Sequence, residues 1–358
     1  MERYLPLISG KRIVLVVNQT SVIGSSHLVD TLLARGMELS GILKVFVPEH
    51  GFRGNFDAGQ EVENGRDPVS GLPVVSLYGK HRKPTPEDLE NVDLVVFDIQ
   101  DVGVRFYTYI STLHYVMEAC AENGVPLLVL DRPNPNGGYV DGPVREPAYR
   151  SFVGMHPIPV VYGLTIGELA LMINGEGWLA GGIRCELKVI PCENYRHGRT
   201  VSLPVKPSPN LASMQSIRLY PSTCFFEGTV ISEGRGTEMP FEVYGHPEIE
   251  GSFRFTPRSI PGMSEHPKFL GIECHGEDLR SFLPPGGWKH LFLQFLLDAF
   301  GKYDGKDDFF TPYFDQLAGT SALREQILEG WDEDRIRESW ERELDAYKRT
   351  RNKYLIYE

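Results

Sequence analysis

A chain of 358 residues is long for one hydrophobic core, and its 41% hydrophobic and 23% charged content is that of a soluble globular protein. A formal charge of −12 without a Lys/Arg stripe argues against nucleic acid as a partner. No apolar run approaches the roughly 20 residues of a membrane span. "MERYLPLISGKR" also lacks the apolar stretch of a signal peptide, so the expectation is a chain that is either cytoplasmic or written without its leader.

In chain order, the first half alternates strand-like and helix-like segments. The β-branched run "RIVLVVN" (12–18) precedes the helical "HLVDTLLARG" (27–36). Strand-like runs follow at 41–47, 72–78, 92–99, 125–131 and 158–163. Between 99 and 125, Ile110, Leu113, Met117 and Ala121 recur at helical spacing, and Asn123-Gly124 marks the stop. Near-continuous apolar strands alternating with helices predict an α/β fold with a parallel sheet covered on both faces, doubly wound and Rossmann-like. The glycine-rich "GEGWLAGG" (175–182) reads as a seam between a Rossmann-like domain at 1–180 and a smaller α+β domain at 181–358. Beyond the seam, "CELKVI" and "SIRLY" look like strands, and Ile336, Trp340, Leu344 and Tyr347 share one face of a closing helix.

Ligands of open parallel sheets bind outside the carboxyl ends of the strands, so the residues just past each predicted strand are the candidates. Asn18 follows the first strand, Glu49 and His50 the second, and Tyr78 the third. Asp98 and Asp101 follow the fourth, and Asp131, Arg132 and Asn134 the fifth. In "VPEHGFRG", Glu49 and His50 either hold a tight turn or aim a carboxyl group into a cleft, its protonation tuned by burial and by His50. "DIQDVGVRFYTY" (98–109) mixes Asp98, Asp101, Arg105 and Tyr107 with further aromatics. One of its aspartates reads as a helix cap. Carboxylates among aromatics nevertheless suit a sugar, whose faces stack on rings and whose hydroxyls bond to acids. "DRPNPNGG" (131–138) is a rigid turn that still can present Asp131 and Asn134. "FFEGTVISEGRGTEMPFEVYG" (225–245) crowds Glu227, Glu233, Arg235, Thr237 and Glu238 among glycines, either as a solvated loop or as backbone packed against the facing domain or a ligand.

No GxGxxG or Walker lysine follows the first strand and no GxSxG occurs, which disfavours dinucleotide binding and serine-hydrolase chemistry. The ten histidines form no HxH or HExxH and the five cysteines no CxxC, so neither metal nor cofactor is expected. The cysteines read as small, mostly buried residues.

The segments "NQTS", "VPEHGFRG", "FDIQDVGVRFYTY", "DRPNP", "GPV", "YGLTIGELA", "YPSTCFFEGT", "EGRGTEMPFEVYG" and "RNKYLIY" occur here in the order they take in NamZ-type exo-β-N-acetylmuramidases. The chain resembles that family over nearly its whole length. His246 is one departure, where relatives usually carry a small residue after the glycine. The resemblance implies a glycosidase that releases N-acetylmuramic acid from the non-reducing ends of peptidoglycan fragments. It also implies a Rossmann-like catalytic domain without a nucleotide loop and a cleft closed by the second domain. Its partners would be peptidoglycan-derived muramyl saccharides, and a wall polymer as substrate favours the periplasm or the exterior. Carried over by motif, Glu49 is the principal catalytic acid with His50 beside it.

Muramic acid carries a lactyl carboxylate, which an acidic protein must hold with local arginine. Arg53, Arg105, Arg132 and Arg235 all sit in the shared motifs, and a guanidinium fork suits a carboxylate. Asn18, Asp98, Tyr107, Asp131, Asn134 and Glu238 complete the substrate-binding candidates. Glycosidic cleavage also needs a second carboxylate or the substrate's own acetamido group. Asp101 and Glu233 both stand for that role, and retention or inversion is left open. A non-catalytic muropeptide- or sugar-binding protein is the competing reading. A phosphosugar enzyme is weakened by the missing phosphate loop.

Overall fold

The computed structural model describes residues 1–36, 41–49, 51–53 and 65–358. Seven strands form one sheet: β1 (Ile13–Val17), β2 (Ile42–Val47), β3 (Gly65–Arg66), β4 (Pro73–Ser76), β5 (Leu94–Asp98), β6 (Leu127–Leu130) and β7 (Leu187–Ile190). Their order is β3-β4-β2-β1-β5-β6-β7, and every neighbouring pair is parallel except the β3–β4 edge. All residues of β1 and β5 are buried, which requires cover on both faces and accounts for their unbroken apolar sequences. The two-residue period then sorts the side chains. Val14, Val16, Val95 and Phe97 enter the larger core with helix α2 (Tyr109–Asn123), whereas Ile13, Leu15, Val17, Leu94 and Val96 enter a smaller core with α1 (Leu28–Ala34). The Asn-Gly stop of α2 is a left-handed cap, with Gly124 at φ +64° donating its N–H to Cys120 O.

Three segments depart from the sequence reading. The sheet continues past the 175–182 seam, because "CELKVI" supplies β7, the last strand of the parallel sheet. As an edge strand it is only half-buried, and so lacks the unbroken apolar pattern of the central strands. Beyond helix α3 (Ile166–Gly175), "SIRLY" lies in helix α4 (Met214–Thr223), whose start is set by a reciprocal capping box between Ser213 and Ser216. Residues 158–163 join no strand of the sheet; Val161 forms isolated bridges to Val104 and Asp141.

A second, antiparallel sheet of β8 (Val243–His246), β9 (Phe253–Phe255) and β10 (Cys274–Asp278) has β10 in the centre. His246 is buried there, edge-on to Phe269 and Tyr303, so the departure from the family pattern is a packing feature of this lobe. The closing helix α5 (Glu333–Arg351) buries Ile336, Trp340, Leu344 and Tyr347, and the Tyr347 hydroxyl donates to Tyr162 O at 2.6 Å. All five cysteines are free thiols and four are buried. No helix among the described residues is long and apolar enough to cross a membrane.

Candidate active site

Glu49 reaches its place because β2 stops at Pro48 and the chain turns at once. Gly51, at φ +73°, donates its N–H to Pro48 O at 3.1 Å. The carboxyl group then stands at the carboxyl edge of the sheet, over the start of α2. Thr108 is the N-cap of α2, yet its side chain caps no backbone N–H; its hydroxyl donates to Glu49 Oε2 at 3.0 Å instead. The Tyr78 phenol, just past β4, is a second hydrogen-bond partner of Glu49. Burial, followed by the Glu49 charge, holds that phenol well above the usual tyrosine range.

The cleft before Glu49 encloses about 260 Å³. One wall carries Glu49, Tyr78, Arg82, Thr108 and Phe152, and the other carries Ser208, Asn210, Tyr220, Glu227, Arg235 and Tyr313. Phe106, Tyr107 and Tyr109 form its floor and are almost wholly buried, so they brace the cleft more than they offer open faces for stacking. Three donors converge on one carbonyl to pin the facing loop: Pro207 O accepts from Tyr107 at 2.8 Å, Tyr109 at 3.1 Å and Gln19 Nε2 at 3.0 Å.

On the far wall, Arg235 donates to Glu227 from Nε at 3.0 Å and from Nη2 at 2.6 Å. Burial opposes the Arg235 charge, but Glu227 and Glu233 outweigh it and raise its pKa. Phe241 packs beneath, with its ring centroid 5.1 Å from the guanidinium carbon and edge-on to Tyr220. Its φ of +64° is a strained conformation for a bulky side chain. That backbone is held by Phe241 N–H donating to Glu233 O at 2.7 Å and by Thr223 Oγ1 donating to Phe241 O at 3.1 Å.

Of the candidates named from the sequence, Glu49, Tyr78, Tyr107 and Arg235 line the cleft. His50 lies outside the described residues. Glu233 is buried between Arg235 at 3.4 Å and Lys268 at 3.2 Å. Glu238 is exposed and lines no part of the cleft. The residues at the point where the strand order reverses bind one another. Arg132 forks onto Asp98 at 2.6 and 2.9 Å, and Asn18 Oδ1 accepts from Thr20 N–H at 2.9 Å. Asp131 accepts from Thr165, Gly167 N–H and Tyr357, and burial raises its carboxyl group to about 6. Asn134 donates to Leu164 O at 2.8 Å and packs under Gly103, where a Cβ would fall 2.1 Å from its Oδ1. Arg53 is held by Asp30 and Asp67, and the Arg105 guanidinium is enclosed by four backbone carbonyls. The opening therefore sits off the reversal point, toward the exits of β2 and β4.

Asp101 lies below the cleft, 5% exposed, accepting from Gly103 N–H at 2.6 Å and from the Tyr162 hydroxyl. Burial raises its carboxyl group from 3.8 to about 7. Below the unfolded value both states hold the proton and nothing is lost. Between about 4 and about 7 the unfolded chain releases a proton that the native state keeps, so stability falls as pH rises through that window. Replacing Asp101 by Asn removes this term. Whatever the offset at pH 4, the variant should gain on the wild type by upward of about 1 kcal/mol between pH 4 and 8 in denaturant melts. A difference independent of pH would refute the buried-acid account.

Glu227, Arg82, Tyr220 and Tyr313 were not among the site residues named from the sequence. Glu227 lay in a flagged glycine-rich stretch, but its charged neighbours gave no reason to single it out. Arg82 and Tyr313 carry no signal in the linear pattern. Among the described residues, no three His, Cys, Asp or Glu side chains gather to hold a metal ion.

Fold and cleft together define a Rossmann-like α/β protein whose site is built from carboxylates, tyrosines and arginines rather than a phosphate-binding loop. The chain belongs to the NamZ exo-β-N-acetylmuramidase family: residues 13–215 match its N-terminal domain and residues 218–357 its C-terminal domain. It is 41% identical to the peptidoglycan β-N-acetylmuramidase NamZ of Bacillus subtilis strain 168, in an alignment covering 99% of this chain and 89% of that one. Two crystal structures of DUF1343 family proteins from Bacteroides fragilis share the fold. One superposes with a TM-score of 0.92 at 44% identity and the other with 0.85 at 30%, each over 100% of this chain and 97% of its own.

Proposed function

We propose that this protein is an exo-acting glycoside hydrolase that releases N-acetylmuramic acid from the non-reducing ends of β-1,4-linked peptidoglycan fragments. The observation that carries the reading is Glu49, a carboxyl group held by Thr108 and Tyr78 at the edge of an aromatic-floored cleft. The family and the name of the Bacillus subtilis relative support the substrate class. Exo action fits a cleft of about 260 Å³, which is small for a run of sugars.

In this reading Glu49 gives its proton to the glycosidic oxygen as the bond to the anomeric carbon breaks, and water completes the hydrolysis. Glu227 is the second carboxylate, in preference to Asp101 and Glu233, because of the three only Glu227 lines the cleft. Arg235 fixes its orientation. The test is turnover of a chromogenic β-N-acetylmuramide beside the matching glucosaminide. Hydrolysis of the muramide alone is expected. Equal rates on both, or none on either, would sink the reading.

A further inference from the structure

A muramidase must tell its substrate from a glucosaminide by one feature, the lactyl carboxylate on C3. Each of the four arginines singled out by motif already has a partner. Arg53 is bound to Asp30 and Asp67, Arg132 to Asp98, Arg235 to Glu227, and Arg105 to carbonyls away from the cleft. Turning any of the three carboxylate-bound ones toward a ligand would strand the acid it now neutralises.

Arg82 differs. It lies past β4 on the same wall as Glu49, with its Nε donating to Gly79 O at 2.9 Å and its guanidinium 4.6 Å over the Phe152 ring. Those two contacts orient the plane of the guanidinium and leave its terminal nitrogens unclaimed: among the described residues no carboxylate accepts from them. Phe152 is in turn edge-on to Tyr78, the partner of Glu49, so the catalytic carboxyl and the open guanidinium belong to one packed group. C1 and C3 lie on the same face of one pyranose ring, so a reader of the C3 substituent must stand within a ring's width of the group acting at C1.

We infer that Arg82 binds the lactyl carboxylate of the terminal muramic acid and sets the preference for muramides over glucosaminides, an inference resting on the proposed hydrolase function. The bond is the two-pronged, charge-assisted kind that suits guanidinium and carboxylate. Phe152 stacks behind the guanidinium and holds the fork flat toward the cleft.

The test compares wild type, Arg82→Ala and Arg82→Lys on a 4-nitrophenyl β-N-acetylmuramide and on its lactyl methyl ester. Binding of free N-acetylmuramic acid is measured alongside by calorimetry. Arg82→Ala should lose on the order of 10²-fold in kcat/KM on the acid and far less on the ester, and should bind the free sugar acid correspondingly weakly. Arg82→Lys, which keeps the charge but not the fork, should fall between. Because Arg82 is exposed, the melting temperature should not move. Equal losses on acid and ester, or an undiminished preference for the acid, would overturn the role of Arg82 while leaving the hydrolase reading intact. A wild-type protein that neither turns over the muramide nor binds the sugar acid would overturn both.

Discussion

Glu49→Gln is expected to keep the fold and lose turnover of the natural disaccharide by about 10²–10⁴-fold. The amide matches the carboxyl group in size, and its oxygen can still accept from Thr108 Oγ1, which now lies 3.0 Å from Glu49 Oε2. What it cannot do is donate a proton to the leaving oxygen. If Glu49 merely braced the turn after β2, Gln would serve nearly as well and the rate would survive. The leaving group provides an internal control. An aryl muramide whose phenolate departs without protonation should lose much less, because the missing proton then matters less. Thermal melting and retained binding of N-acetylmuramic acid establish that the variant is folded. A folded variant with near-normal turnover of the disaccharide would falsify the assignment and direct attention to Glu227.

Arg105→Met should damage the fold rather than the chemistry. The guanidinium is 0% exposed and donates from Nη1 to Pro143 O at 2.7 Å and Ile158 O at 2.8 Å. From Nη2 it donates to Leu317 O at 2.8 Å and Ala318 O at 2.6 Å. The last two are carbonyls at the end of the short helix Tyr313–Ala318, which has no further turn to satisfy them. A cation is also favoured at that end of a helix. Methionine fills much of the space but leaves Pro143 O, Leu317 O and Ala318 O without a donor, and Ile158 O with only the Arg145 N–H at 3.2 Å. At about 1–3 kcal/mol for each buried group left unsatisfied, with partial rescue by water, a loss of about 3–5 kcal/mol is expected. For a chain of this size that lowers the melting temperature by about 5 °C. Because the same helix brings Tyr313 to the cleft, KM should rise as well. If Arg105 instead held the substrate's carboxylate, the variant would bind substrate poorly at an unchanged melting temperature.

Glu49 and Arg105 mark two kinds of information in this chain. Burial of a strand on both faces forces a near-continuous apolar run, so β1, β2, β5 and β6 are legible, and with them the doubly wound class. A residue just past such a run must stand at the sheet's carboxyl edge, which places Glu49 from the sequence alone. Half-buried β7 and the serine-capped α4 leave weaker patterns: β7 reads as a strand but not as part of the parallel sheet, and α4 reads as a strand although it is a helix.

The role of each arginine lay beyond sequence. What a guanidinium does depends on which acceptors surround it, and those come from residues remote along the chain. Arg132 finds Asp98 34 residues away, and Arg105 finds Leu317 and Ala318 more than 200 residues away. Four arginines in the shared family motifs are thereby bound to other groups, and Arg82, in no conspicuous motif, keeps its fork open beside the cleft. Local patterning determined where the chain presents polar groups to the end of the sheet. Only packing decided which of those groups satisfy one another and which are left to meet a ligand, because a charge removed from water must find a partner wherever the fold brings one.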